Sequence, residues 1–146
     1  MVLTLVTDSE PNPWLGSGTV DALLWALTAA ILAAIVTLSL GPAPPTGGFS
    51  LADKLWHAAA YAALTSCLLL ALVWRPGKPP GRVLRRVTVV AASALLLGIL
   101  LEIGQRFTGR DTDWRDAVAD AVGVGLRALS WLVLLRSRAG REAGPT

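Results

Sequence analysis

Four apolar stretches, each near the length that crosses a bilayer, leave this chain few ways to fold. They run approximately from Val20 to Leu40, Leu55 to Trp74, Val87 to Leu101 and Ala117 to Leu135. An α-helix needs ~20 residues to traverse a ~30 Å hydrocarbon core. The third and fourth stretches reach that length once the polar residues at their ends are counted. Only helices and closed barrels satisfy every backbone polar group in lipid. The expected fold is therefore all-α, an integral membrane bundle of four transmembrane helices, with spans at about 20–40, 53–74, 85–106 and 114–135. Composition agrees, since 16% of the residues are charged against roughly 25% in soluble proteins.

The 146 residues hold one domain. Residues 19–136 form the membrane domain, preceded by a short segment, 1–18, and followed by a tail, 137–146. No Lys or Arg precedes the first apolar stretch, so it is read as a span and not as a signal peptide. Asp21 lies one turn into that span, where a carboxylate favours the positive end of the helix dipole.

The basic residues set the topology. Arg75, Lys78, Arg82, Arg85 and Arg86 fall in the segment between spans two and three, and Arg136, Arg138 and Arg141 follow span four. Short basic loops stay cytoplasmic, while 41–52 carries no charge at all and belongs outside. Both termini are then cytoplasmic. The pI near 9.8 reflects this asymmetry, with no implied nucleic-acid partner; the same residues suit anionic lipid headgroups. Cys67 is the only cysteine and sits mid-span, where a thiol behaves as a small apolar group.

Punctuation between spans is strong. Gly41-Pro42-Ala43-Pro44-Pro45 breaks the first helix, and Ser50-Leu51-Ala52-Asp53 is a loose capping box that starts the second near Leu51. Pro76, Pro79 and Pro80 end the second helix, and Gly109 is placed to cap the third.

The functional signal is where the ionisable residues fall. Asp53, His57 and Tyr61 are spaced by four and form one stripe on span two. Glu102 and Gln105 share a face of span three. Asp113, Asp116 and Asp120 do so on span four, with Arg110 just before it. The topology brings all three stripes to one membrane face. Gly98 and Gly123, each near one of these stripes, permit close helix approach. Carboxylates facing lipid on these helices are costly, so Glu102, Asp116 and Asp120 are expected to turn inward onto Lys54, His57, Arg106 or Arg110. Arg127, deep in span four, is expected to snorkel, because Asp120 lies too far along the helix to reach.

Such a pocket suits more than one chemistry. His57 with Glu102, Asp113 or Asp116 offers nitrogen and oxygen donors to a divalent ion, though no HExxH or paired-cysteine spacing accompanies them. His57 beside a carboxylate is also a general acid or base. The same groups equally serve to lock helix ends together. No cofactor is named by these residues.

The order Asp53-Lys54-x-x-His57-x-x-x-Tyr61, then Glu102-x-x-Gln105 and Arg110, then Asp116-x-x-x-Asp120-x-x-Gly123 resembles the VanZ-like family of small bacterial membrane proteins, across roughly 51–129. The family takes its name from a protein associated with resistance to the glycopeptide teicoplanin. The resemblance implies a cell-envelope protein of the bacterial cytoplasmic (inner) membrane. Its partners would be membrane lipid and a lipid-linked envelope precursor, met in an outward-facing site. There His57, Glu102 and Asp116 would be catalytic, and Asp53, Lys54, Tyr61, Gln105, Arg110 and Asp120 would bind, Lys54 and Arg110 holding an anionic group such as phosphate; Asp113, outside the matched pattern, joins the binding residues by its helical spacing with Asp116 and Asp120. Asp120 stands where the family more often has Asn, which adds a negative charge and calls for a cation or proton. Arg127 stands where a small residue is usual. The other reading is a non-catalytic scaffold, whose polar cluster fixes helix packing and which acts through protein partners.

Overall fold

A computed structural model describes residues 15–41, 51–73, 80–109 and 112–142, with side chains for 18–41, 51–73, 82–109 and 112–137. It consists of four helices: α1 (Leu15–Leu40), α2 (Leu51–Val73), α3 (Pro80–Gln105) and α4 (Trp114–Glu142). Each contains a span long and apolar enough to cross a membrane. The expected all-α bundle of four transmembrane helices is the fold observed.

The helices alternate in direction, which puts the N-terminal ends of α2 and α4 beside the C-terminal ends of α1 and α3. Leu40 lies against Gly104 at this end, and Lys54 reaches Asp113 and Asp116. The parallel pair α2 and α4 makes the most extensive contact in the bundle. Its backbones meet where Gly123 faces Ala58: a Cβ on Gly123 would collide with the Ala58 carbonyl.

Two apolar clusters hold the bundle together. Ile35, Tyr61, Leu64, Ala94, Leu101 and Val124 form one, nearer the polar end. Leu69, Val73, Val83, Val87, Val90 and Trp131 form the other. Outward faces are equally apolar, with Leu23, Leu96, Ile99, Val122 and Leu129 exposed. Only 11% of the first span and 39% of the second is buried. Apolar area on that scale is untenable in water and is what lipid requires.

Helix α2 starts at Leu51, as its capping box predicts. Two ends differ from expectation. Arg82, Arg85 and Arg86 are not in a loop but in the first turns of α3, because Pro80 takes the first helical position, where its missing N–H costs nothing. Arg86 Nη1 donates to the Leu72 carbonyl at 2.7 Å and so caps α2. Helix α4 runs on to Glu142, so most of the expected tail continues the helix. At the polar end, α3 tightens into i→i+3 bonds, Phe107 to Gly104 at 3.0 Å and Thr108 to Gln105 at 3.1 Å. Gly109 then leaves with φ +74°, a conformation that favours glycine. Cys67 is free and buried in the middle of α2.

Candidate functional site

The site forms because two helix starts bring acidic residues to the same height. Asp113 is the N-cap of α4: its Oδ1 accepts the Arg115 N–H at 3.0 Å, and its carbonyl accepts the Asp116 N–H at 2.8 Å. Asp53 and Asp116 sit in the first turns of α2 and α4, where the positive helix ends favour carboxylates.

Lys54 links the two helices. Its ammonium lies 2.8 Å from Asp113 Oδ2, contacts Asp116 Oδ1 and lies 3.4 Å from Asp53 Oδ2. Its side chain is only 13% exposed, so the pairing is largely withdrawn from water. The Lys54 ammonium foremost, and then the Arg115 amide, hold the Asp113 carboxyl below the usual carboxylate range. Lys54 is thus surrounded by carboxylates, unlike the anion-holding role expected for it. Arg110, its expected companion, lies outside the described residues.

One turn further in, His57 Nδ1 lies 3.0 Å from Asp120 Oδ1, and Nε2 lies 3.8 Å from Asp116 Oδ2. Asp120 is 2% exposed. Its second oxygen lies over Gly98, 2.8 Å from where a Cβ there would stand, with Tyr61 Oη 3.4 Å from the same point. The expected close approach at Gly98 and Gly123 is therefore what lets α2, α3 and α4 converge.

The stripe on α3 completes the floor. Gln105 is buried, and Glu102 is part-buried. Glu102 Oε2 and Tyr61 Oη are buried with no hydrogen-bond partner among the described residues. So is Thr65 Oγ1, which extends the spacing of Asp53, His57 and Tyr61 by one more turn and was legible on that ground. Arg106 and Arg115 stand exposed at the rim, with the Arg115 guanidinium 5.9 Å from the Trp114 ring centre.

The structure brings together Asp53, Lys54, His57, Asp113, Asp116 and Asp120, with Tyr61, Glu102 and Gln105 behind them. Among the described residues, five carboxyl groups (Asp53, Glu102, Asp113, Asp116 and Asp120) share one lysine and one histidine. The arrangement favours a cation or a proton donor over an anion.

Arg127 corrects the expectation of snorkelling without a partner. Its Nε donates to Ser66 Oγ at 2.6 Å, across the same α2–α4 interface. The sequence carries no signal for this pair, which lies 61 positions apart.

Neither protein-family models, curated proteins nor solved structures yield a match to this chain.

Proposed function

We propose that this chain is a VanZ-like envelope protein of a bacterial cytoplasmic membrane, with both termini cytoplasmic. In this reading its polar site lies at the outer face and binds, or acts on, the headgroup of a lipid or lipid-linked envelope precursor. The basic residues clustered at the opposite end of the bundle support that orientation. The order of polar residues through α2, α3 and α4 supports the family, including the link to teicoplanin resistance.

One observation carries the choice of a ligand-binding site: Glu102 Oε2 is buried and unpartnered, among the described residues, in a cluster already rich in carboxylates. A buried acceptor without a partner costs ~1–3 kcal/mol, and a clamp evolved only for packing gains nothing by keeping it. Lys54 is committed to Asp113 and Asp116, so the headgroup feature that fits is a protonated primary amine, whose N–H can donate to Glu102 where choline and a bare phosphate cannot.

The test is the thermal stability of the protein in nanodiscs of neutral phosphatidylcholine doped with phosphatidylethanolamine or with phosphatidylglycerol. The amine-bearing lipid should raise the midpoint of wild type by several degrees and leave Glu102→Gln unmoved. Equal shifts in both proteins would dismiss Glu102 as the recognition group. Expression in a glycopeptide-sensitive bacterium tests the family link: wild type should raise tolerance to teicoplanin, and His57→Ala and Glu102→Gln should not.

A second reading, the scaffold, is favoured by the Lys54 and His57 pairings, which already bind α2 to α4. It predicts no lipid selectivity, and Glu102→Gln at least as stable as wild type.

A further inference from the structure

Asp53, His57 and Asp116 each present one donor atom, and the three atoms lie within 4.8 Å of one another. His57 Nε2 and Asp116 Oδ2 are 3.8 Å apart, too long for a hydrogen bond. It is the separation of two ligands on one ion, each bound at ~2.0–2.2 Å. The rest of the cluster prepares His57 for that role. Asp120 Oδ1, 3.0 Å from Nδ1, accepts the Nδ1–H hydrogen bond and leaves the Nε2 lone pair on the side of Asp116 Oδ2. A carboxylate behind a metal-bound histidine is the usual outer support of such ligands.

An independent observation also points to a ligand here. Tyr61 is 2% exposed, yet its Oη has no partner among the described residues. It borders the same Gly98 space as Asp120 Oδ2, behind His57. A buried hydroxyl without a protein partner is ordinarily satisfied by ordered water, and the water carried by an ion at this donor set would meet that need.

We propose that Asp53, His57 and Asp116 form a divalent-cation site, with Asp120 positioning His57 and Lys54 competing for Asp116. The mixed nitrogen and oxygen donors suit Mn²⁺ or Zn²⁺ better than Mg²⁺ or Ca²⁺, which take oxygen ligands. Asp53, with 53% of its side chain exposed, gives the ion its entry from the membrane surface. Lys54 Nζ touches Asp116 Oδ1 and leaves Oδ2 to the ion. Its charge therefore weakens binding without blocking it. The inference rests on the polar site and not on which headgroup that site serves.

Tag-free protein in detergent, stripped with EDTA and desalted, is titrated with Mn²⁺ while the resonance of the free ion is followed. No lipid is added, so the outcome is separate from the headgroup test. Wild type should saturate at one ion per chain. Asp53→Asn, at an exposed position, should weaken binding by ~10–100-fold, as should Asp120→Leu behind the histidine. Lys54→Met should tighten it by about tenfold or more, because a neighbouring positive charge is removed. Binding that never saturates, or Asp53→Asn binding as wild type does, overturns the proposal. His57→Gln gives an independent second variant, and circular dichroism confirms that each protein is folded before it is titrated. Zn²⁺ added at the end should displace Mn²⁺ from wild type, and failure to do so also counts against a shared nitrogen-containing site.

Discussion

His57 Nδ1 and Asp120 Oδ1 lie 3.0 Å apart, joining α2 to α4 at a point where Asp120 is almost fully buried. The contact asks only for an acceptor opposite Nδ1–H, and an amide oxygen provides one as well as a carboxylate does. Asp120→Asn should therefore keep the fold and a melting point within a few degrees of wild type. Asp120→Leu has similar volume and no acceptor, and should cost ~1–3 kcal/mol by leaving the ring nitrogen unpaired. Thermal unfolding in detergent separates the two. Equal losses would mean that the charge of Asp120, and not its hydrogen bond, holds the helices.

The approach of α2 to α4 depends on one missing side chain. A Cβ on Gly123 meets the Ala58 backbone carbonyl, which cannot rotate aside, whereas Gly125 has nothing within 4 Å. Gly123→Ala should destabilise the bundle by ~1–3 kcal/mol through overpacking, while Gly125→Ala should stabilise it by up to ~1 kcal/mol, the helix penalty of glycine. The same displacement would pull Lys54 and His57 from Asp116 and Asp120. Gly123→Ala should therefore also weaken any ligand binding at the site, measured beside the unfolding midpoint.

Lys54 is the electrostatic link of that interface. Removing one member of a buried pair strands the other, a heavier cost than removing both. Lys54→Met alone should cost up to ~3 kcal/mol, and Lys54→Met with Asp116→Leu should recover most of it. A double variant as unstable as the sum of the singles would show that Lys54 and Asp116 act independently.

How much of this was legible depends on whether the information is local. The spans, the start of α2 at Leu51 and the turn at Gly109 follow from apolar length and from proline, glycine and capping chemistry, all within a few residues. The stripes of Asp53, His57 and Tyr61 and of Asp113, Asp116 and Asp120 follow from helical periodicity. Which stripe residues pair does not. Lys54 and Asp116 are separated by 62 positions, and their register is set by Gly123 seating on Ala58; the glycine marks a close approach, but no local pattern names Ala58 as what it meets. Local chemistry marks proline as a helix breaker, although Pro80 begins a helix, and so the sequence pattern assigns the arginines of α3 to a loop. The charges along its own helix offer Arg127 no partner, whereas its actual partner is a serine on α2.

That pair makes its own prediction. Ser66 Oγ accepts from Arg127 Nε at 2.6 Å and donates to the Ala62 carbonyl. A hydroxyl satisfies the guanidinium proton but does not offset its charge, which is costly well inside a span. Ser66→Ala should lower stability by ~1–3 kcal/mol. Arg127→Met fills similar volume without charge, leaves Ser66 bonded to Ala62, and should be at least as stable as wild type. If Arg127→Met unfolds more easily than Ser66→Ala, the arginine has a stabilising role beyond this bond.

Asp113, outside the spans, gives the site a pH dependence whose sign can be fixed. Lys54, and then the Arg115 amide, hold its carboxyl below the usual carboxylate range. Because the folded value lies under the unfolded one of ~3.9, the stabilisation is fully present above that unfolded value. It is lost as the pH falls through the folded value, where Asp113 takes up a proton in both states. Asp113→Asn keeps the N-cap acceptor and removes only the charge. Wild type should then be the more stable of the two at pH 7, by no more than ~1 kcal/mol because the group is about one-third exposed. The gap should narrow on acidification below pH ~4 and close. Melting points of both proteins between pH 7 and pH 3 read this directly, and a gap that stays constant or widens with acid would show that the Lys54 pairing is not its source.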